Sequence, residues 1–438
     1  MSVEKPIIFR GSILFLSAWT GLLLWVYAVS GVDWFLPGDF GFRTAMAYHG
    51  LLIPAWMMIV LAYVRYTECS GFMRKFIRTG VVLGGFLTGL GALFIYGEGL
   101  SFWTVVQVTG MVIAEITALV IIVISFVYYF KSSRKGINAF AWWTVTLALI
   151  GMSLATPAGH LAGAIKDLGT AFPSWFSHPW LSQNVAGNYI DAHSHQMLAA
   201  FLAAGFAMPL LRIDSGKSKG MVLLQNSGLV IMMIATLAQI SIYQYCAWSG
   251  WEPPVLFSSG LNGIPLDDAV LSALGFGMLL LVPGLWIKNK KGVRQDNNDL
   301  FLHRMVAVFI LVYLMAVVGL GLYIEFHEQF FGQATGNAPG VANDLAFIRG
   351  HLLFGFMIIP LLLGTFLHGN MISRRKQKDL MVILGLFVVL TGLSGIFLWT
   401  FFLNVLMMKI AVLLTVVFLL AYAFILSRKT SKNIRLQH

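Results

Sequence analysis

Charge is scarce in this chain. Of its 438 residues 11% are Asp, Glu, Lys or Arg and 58% are apolar, and the mean hydropathy is +0.81. No soluble domain of this size is built that way. Cysteine is scarcer still, with Cys69 and Cys246 the only two. The first is expected in a cytoplasmic loop and the second near the outer end of a membrane span, so they do not bridge within one chain. No CxxCH occurs, which excludes a covalently attached c-type haem in this chain. A cleavable signal peptide is not expected, because the first apolar run continues into more membrane and lacks a small-residue cleavage site.

What is present is apolar sequence in lengths that match a bilayer. Windows of roughly 20 residues predict twelve spans near 8–29, 42–64, 77–96, 102–130, 139–165, 188–211, 220–244, 268–287, 301–325, 348–370, 380–400 and 402–427. The expected fold class is therefore all-α integral membrane. Lys and Arg set the orientation. They cluster at Lys5 and Arg10, Arg65 to Arg78, Lys131 to Lys135, Arg212 to Lys219, Lys288 to Arg294, Arg374 to Lys378 and Arg428 to Arg435. Twelve spans place all of these on one side, which makes both termini cytoplasmic and the chain a multi-pass protein of a bacterial cytoplasmic (inner) membrane. Arg43, Lys166, Arg304, Arg349 and Lys409 fall outside the pattern. The net charge of +11 is thus a topology signal, and nucleic acid is not an expected partner.

Three histidines stand at near-regular intervals. His49, His195 and His351 are 146 and 156 residues apart, each near the start of a long apolar segment. Imidazole is costly in hydrocarbon unless it is paired, hydrogen-bonded or bound to a metal. The repetition predicts one transmembrane domain over 1–438, made of three four-helix units (approximately 1–135, 136–292 and 293–438) in a pseudo-threefold array. The three rings are then expected at similar depth in the outer half of the bilayer. Trp34, Trp103, Trp175, Trp180, Trp248 and Trp251 map to the outer interface, where indoles anchor.

The run Asp191-Ala-His193-Ser-His195 adds a second imidazole. Residues two apart on a helix point about 200° from each other, so His193 and His195 face different pockets, as a helix ligating two cofactors requires. The plainer reading makes one a ligand or core hydrogen-bonder and the other interfacial. Gly50 and Gly350 beside His49 and His351 allow close approach of a macrocycle or of another helix; the plainer reading of those histidines is carbonyl-bonded packing. His160, His327 and Glu325 lie near the outer ends of their spans, as metal, propionate or proton groups or as interfacial residues. Glu115 falls mid-span and, if buried, stays protonated, suited to a proton path. Arg349 suits a bidentate carboxylate partner such as a haem propionate. Lys409 is expected to snorkel, and His303 and His368 to be solvated at cytoplasmic ends.

Segments 345–365 and 42–60 resemble helices 10 and 2 of subunit I in the haem–copper oxidase superfamily. The likeness is nearest its nitric oxide reductase and cbb3-type branches, whose helix 10 carries His-x-His followed by Leu and a Gly/Phe-rich run. The resemblance implies twelve spans, a low-spin haem held by His351 and His49, and oxidoreductase chemistry. Two departures stand against direct transfer. Arg349 replaces the histidine that binds the high-spin haem, and span 7 offers Gln225, Asn226, Gln239 and Gln244 where the family has copper-ligating histidines. A catalytic site moved around the threefold axis, with span 6 in the role of helix 10, is one resolution; loss of the chemistry is the other. His193-Ser-His195-Gln-Met197 also resembles the His-Ala-His-Glu-Met run of NnrS-like haem- and copper-binding membrane proteins.

The expected function is a haem-binding membrane redox protein delivering electrons to nitric oxide or dioxygen. One or two b-type haems are expected at His351 with His49 or His195, with a second haem or copper at His193. Quinol or a cytochrome c is the expected donor, with a small c-type cytochrome subunit and membrane lipid as further partners. Glu115 and Glu325 are the candidate proton carriers. A non-catalytic haem or copper protein of nitric oxide tolerance is the first alternative. A proton-coupled secondary transporter is the second.

Overall fold

In hydrocarbon every backbone N–H and C=O must find its partner within the same segment, which leaves long apolar runs one solution, the helix. The computed structural model describes residues 9–30, 42–64, 70–95, 101–131, 137–168, 183–211, 217–249, 255–256, 264–286, 297–319, 346–347, 349–372 and 374–428. Of these, only the backbone is described at 42, 43, 45, 156–168, 183–192, 247–249, 255–256, 264–265, 297–302, 316–318 and 356. The helices are α1 (Arg10–Val29), α2 (Phe42–Val64), α3 (Gly71–Phe94), α4 (Phe102–Lys131), α5 (Ala139–Leu168), α6 (Gln183–Ala207), α7 (Lys219–Ser249), α8 (Leu266–Trp286), α9 (Asn297–Tyr313), α10 (Arg349–Phe366), α11 (Arg375–Phe402) and α12 (Leu406–Ser427). A two-residue antiparallel ladder pairs β1 (Val255–Leu256) with β2 (Ile264–Pro265) just before α8. Among the described residues nine helices are long and apolar enough to cross a membrane: α1 to α4, α7, α8 and α10 to α12.

The histidine-bearing helices are the inner ones. In α2 and α10 the most apolar windows are 94% and 88% buried, against 33% in α7 and 39% in α8. In α6 every residue from Gln196 to Ala207 is buried. A helix that is apolar all round belongs inside other helices, and α2, α6 and α10 pack on one another. Around them α3 packs on α4, α7 on α8 and α11 on α12, while α4 meets α5, α8 meets α9 and α12 meets α1. Peripheral helices keep large apolar side chains outward, such as Val123 on α4 and Leu223 on α7, as a lipid-facing surface does.

Small residues bring the peripheral pairs together. A Cβ added at Gly84 on α3 would lie 2.9 Å from the backbone nitrogen of Ala114 on α4. One at Gly228 on α7 would lie 2.6 Å from the carbonyl oxygen of Gly277 on α8, and one at Gly395 on α11 would lie 2.8 Å from the backbone nitrogen of Met408 on α12. Backbones in contact are how helices associate where lipid removes the hydrophobic drive between them.

The two ends of the bundle differ in charge. Arg10 donates from Nε to the Leu426 carbonyl and from Nη2 to the Arg428 carbonyl, both at 2.9 Å, tying the start of α1 to the end of α12. The Arg304 guanidinium lies 5.6 Å from the centroid of Trp286, the last residue of α8. Lys409 is exposed in the first turn of α12, at the other end.

The α11–α12 hairpin turns on Leu403, with φ 50° and half-exposed, and Asn404 Oδ1 accepts from the Leu406 amide at 2.9 Å. The left-handed conformation costs a residue with a Cβ about 1–2 kcal/mol. Leu403→Gly is expected to stabilise the protein by about 1 kcal/mol after glycine's greater unfolded-state freedom is counted, measured by thermal unfolding in detergent.

Candidate functional site

Four histidines gather at the end of the bundle where α2, α6, α8 and α10 begin and α7 ends. Imidazoles of His49 on α2 and His193 on α6 have centroids 6.1 Å apart with 27° between their planes. His193 Nδ1 lies 3.2 Å from the Tyr243 hydroxyl on α7. Two residues on, the helical rotation turns His195 toward α8, and its Nδ1 lies 2.8 Å from Asp267 Oδ2, to which it donates. His351 on α10 packs edge-on against Phe347, 5.5 Å between centroids, and is near enough to His195 for their charges to interact. Thus α6 sends one ring toward α2 and α7 and the other toward α8 and α10. His193 is held through Nδ1, the way a ligating imidazole is oriented with Nε2 presented to a metal, whereas His195 turns its Nδ1 toward the acids of α8.

A π-helical stretch, Leu352–Ile358, begins directly after His351. Such wide turns concentrate at functional sites because the extra residue re-aims neighbouring side chains. Arg349, one turn before that stretch, is buried and within electrostatic reach of Tyr48 on α2. The site end of α4 is fixed as well, since Gln107 Nε2 donates to the Met46 carbonyl at 3.2 Å, one turn before His49.

The flanking glycines serve helix packing. A Cβ at Gly50 would meet Ala92 Cβ at 2.7 Å and the Tyr27 hydroxyl at 3.1 Å, so α3 and α1 already occupy that face. At Gly350 a Cβ would meet Trp399 at 3.5 Å, ordinary contact with α11. Neither glycine holds space open for a macrocycle.

Three residues at this end were not singled out from the sequence. Tyr243 follows Gln239 by one turn on an apolar helix, a spacing that places both on one face; Gln239 is fully buried, with neither amide atom hydrogen-bonded among the described residues. Asp267 and Asp268 form the first turn of α8, and one ligand atom from each, together with one from His195, lie within 4.8 Å of one another.

Glu115 on α4 is half-buried, between buried Ala114 and exposed Ile116, about 12 Å deeper along the helix than Gln107. His160 falls on α5 where only the backbone is described, and Glu325 and His327 lie outside the described residues. His368 is not a solvated end, a correction to its expected place, whereas His303 is half-buried. His368 is fully buried and donates from Nε2 to the Met58 carbonyl of α2 at 2.7 Å. His303 donates to the Pro209 carbonyl at the end of α6 at 3.1 Å. Carbonyls at helix ends and within bundles recruit donors because hydrocarbon offers none.

No protein-family model, curated protein or solved structure matches the chain.

Proposed function

We propose that this chain is a haem-binding redox protein of a bacterial cytoplasmic membrane, with twelve spans in three four-helix units about a pseudo-threefold axis and both termini cytoplasmic. The cyclic packing of α4 on α5, α8 on α9 and α12 on α1 supports the array. The gathering of basic residues opposite the histidines supports the orientation.

The observation that carries the redox reading is the His49–His193 pair. Two imidazoles coordinating one iron at about 2 Å have ring centroids roughly 6 Å apart, and these two stand 6.1 Å apart on the inner helices α2 and α6. Tyr243 at Nδ1 of His193 supplies the outer partner that fixes a ligand's orientation and basicity. A b-type haem held there would supply one-electron transfer. The chain's own residues would orient the rings, exclude water and, through buried Arg349, offer a cationic partner for propionates. This pairing differs from the His351–His49 clamp that the family resemblance implies, and it assigns α6 the two-faced role. Nitric oxide or dioxygen is the proposed electron acceptor, and quinol or a cytochrome c the donor. A non-catalytic role in nitric oxide tolerance is the second reading, favoured by α7 contributing Tyr243 and Gln239 where a copper centre would need imidazoles.

The test is a reduced-minus-oxidised optical spectrum with a pyridine haemochrome on the purified protein. About one b-type haem per chain is expected, and a colourless preparation overturns the reading. Turnover of either gas by the coloured protein separates the catalytic from the non-catalytic role.

A further inference from the structure

We propose that His195, Asp267 and Asp268 bind a divalent first-row transition ion, manganese, iron or zinc, on the face of α6 turned away from His49. The three side chains come from two helices and bring ligand atoms within 4.8 Å of one another. The closest two, His195 Nδ1 and Asp267 Oδ2, are 2.8 Å apart. Atoms sharing one ion at about 2.0–2.2 Å stand roughly 3–4 Å apart, so the cluster closes on a metal with a small adjustment once the ion displaces the His195 Nδ1 proton to solvent.

A simpler account makes this an ion pair, with two acids placed favourably at the positive end of α8. It covers Asp267 Oδ2 but not its other oxygen. Asp267 is 3% exposed, and its Oδ1 has no hydrogen-bond partner among the described residues. A buried carboxylate oxygen without a donor is destabilising, and a natural structure that retains one calls for a water or an ion in its place. A cation held between Asp267 and Asp268 satisfies that oxygen and offsets two adjacent negative charges near the bundle's interior.

The ligand set selects the ion class. One imidazole with two carboxylates lacks the sulfur that copper(I) prefers, and its nitrogen departs from the all-oxygen shells of calcium and magnesium. Three protein ligands also leave a coordination position open, the arrangement of metal sites that bind water or a small molecule. The site shares no ligand with the His49–His193 pair, so it stands or falls separately from the haem.

The experiment loads detergent-purified full-length protein with manganese(II), removes loose metal with chelator, and reads bound metal by mass spectrometry and by electron paramagnetic resonance. Wild type is expected to retain about one equivalent, with Asp268→Asn and Asp267→Asn each binding manganese at least tenfold more weakly. Haem content is expected to be unchanged in Asp268→Asn. Half-buried Asp268 can lose its charge without leaving a buried gap, so this variant decides the matter if Asp267→Asn does not fold. Absence of stoichiometric metal in wild type, or equal retention by Asp268→Asn, overturns the proposal.

Discussion

His193→Ala is expected to bind less than a tenth of the b-type haem bound by wild type, with the helical content unchanged. If His193 holds the proposed haem, its loss would remove one of the two imidazoles, and Tyr243, which bonds Nδ1 of that ring, would not take its place. His49→Ala is expected to act alike, because each ring would supply half of the proposed clamp. Tyr243→Phe leaves both ligands and removes the outer hydrogen bond; changes of that kind weaken a metal site by about 10–100-fold. That variant should still saturate with haem, at higher haem concentration and with a shifted potential. His351→Ala discriminates between pairings. It keeps the low-spin spectrum if His49 and His193 are the ligands and loses it if His351 is one, as the family resemblance implies. Pyridine haemochrome titration of the four variants is the measurement.

How much of this site was legible depends on which interactions are local. Helix content and the special standing of α2, α6 and α10 follow from apolar runs and from imidazoles inside them, and both can be read along the chain. Opposite facing of His193 and His195 follows from helical rotation alone. Their partners do not. Tyr243 and Asp267 are 50 and 72 residues from the rings they hold, and only the way α7 and α8 pack on α6 makes them neighbours. The same holds for His368, whose sequence context reads as a cytoplasmic end but whose ring reaches a carbonyl 310 residues earlier. Boundaries slipped where helices extend past the apolar core. The eleventh span reads as 380–400, yet α11 starts at Arg375, because a charged first turn keeps its backbone bonds in the headgroup region. The exposed Arg375–Asp379 pair there, 3.8 Å apart, contributes little.

Gly110→Ala is expected to destabilise the protein by about 2 kcal/mol, while Gly220→Ala leaves it unchanged or gains up to about 1 kcal/mol. The same methyl group is added to a helix in both cases, so the difference isolates packing. On α3 and α4 the close approaches fall at successive turns, Gly80 against Thr117, Gly84 against Ala114, Gly110 against Thr88 and Gly91 against Gln107. An added Cβ at Gly110 lands on the backbone nitrogen of Thr88, which cannot swing aside as a side chain would. The two helices must then separate along their whole seam, and overpacking of this kind costs about 1–3 kcal/mol. Helix propensity offsets part of that, by about 1 kcal/mol at most. At Gly220, in the first turn of α7, a Cβ meets nothing within 4 Å, so only the propensity gain remains. Equilibrium unfolding in mixed micelles gives both values. Equal effects at the two positions would mean that α3 and α4 do not meet through their backbones. The seam would then no longer fix where α4 presents Gln107 to the Met46 carbonyl beside His49.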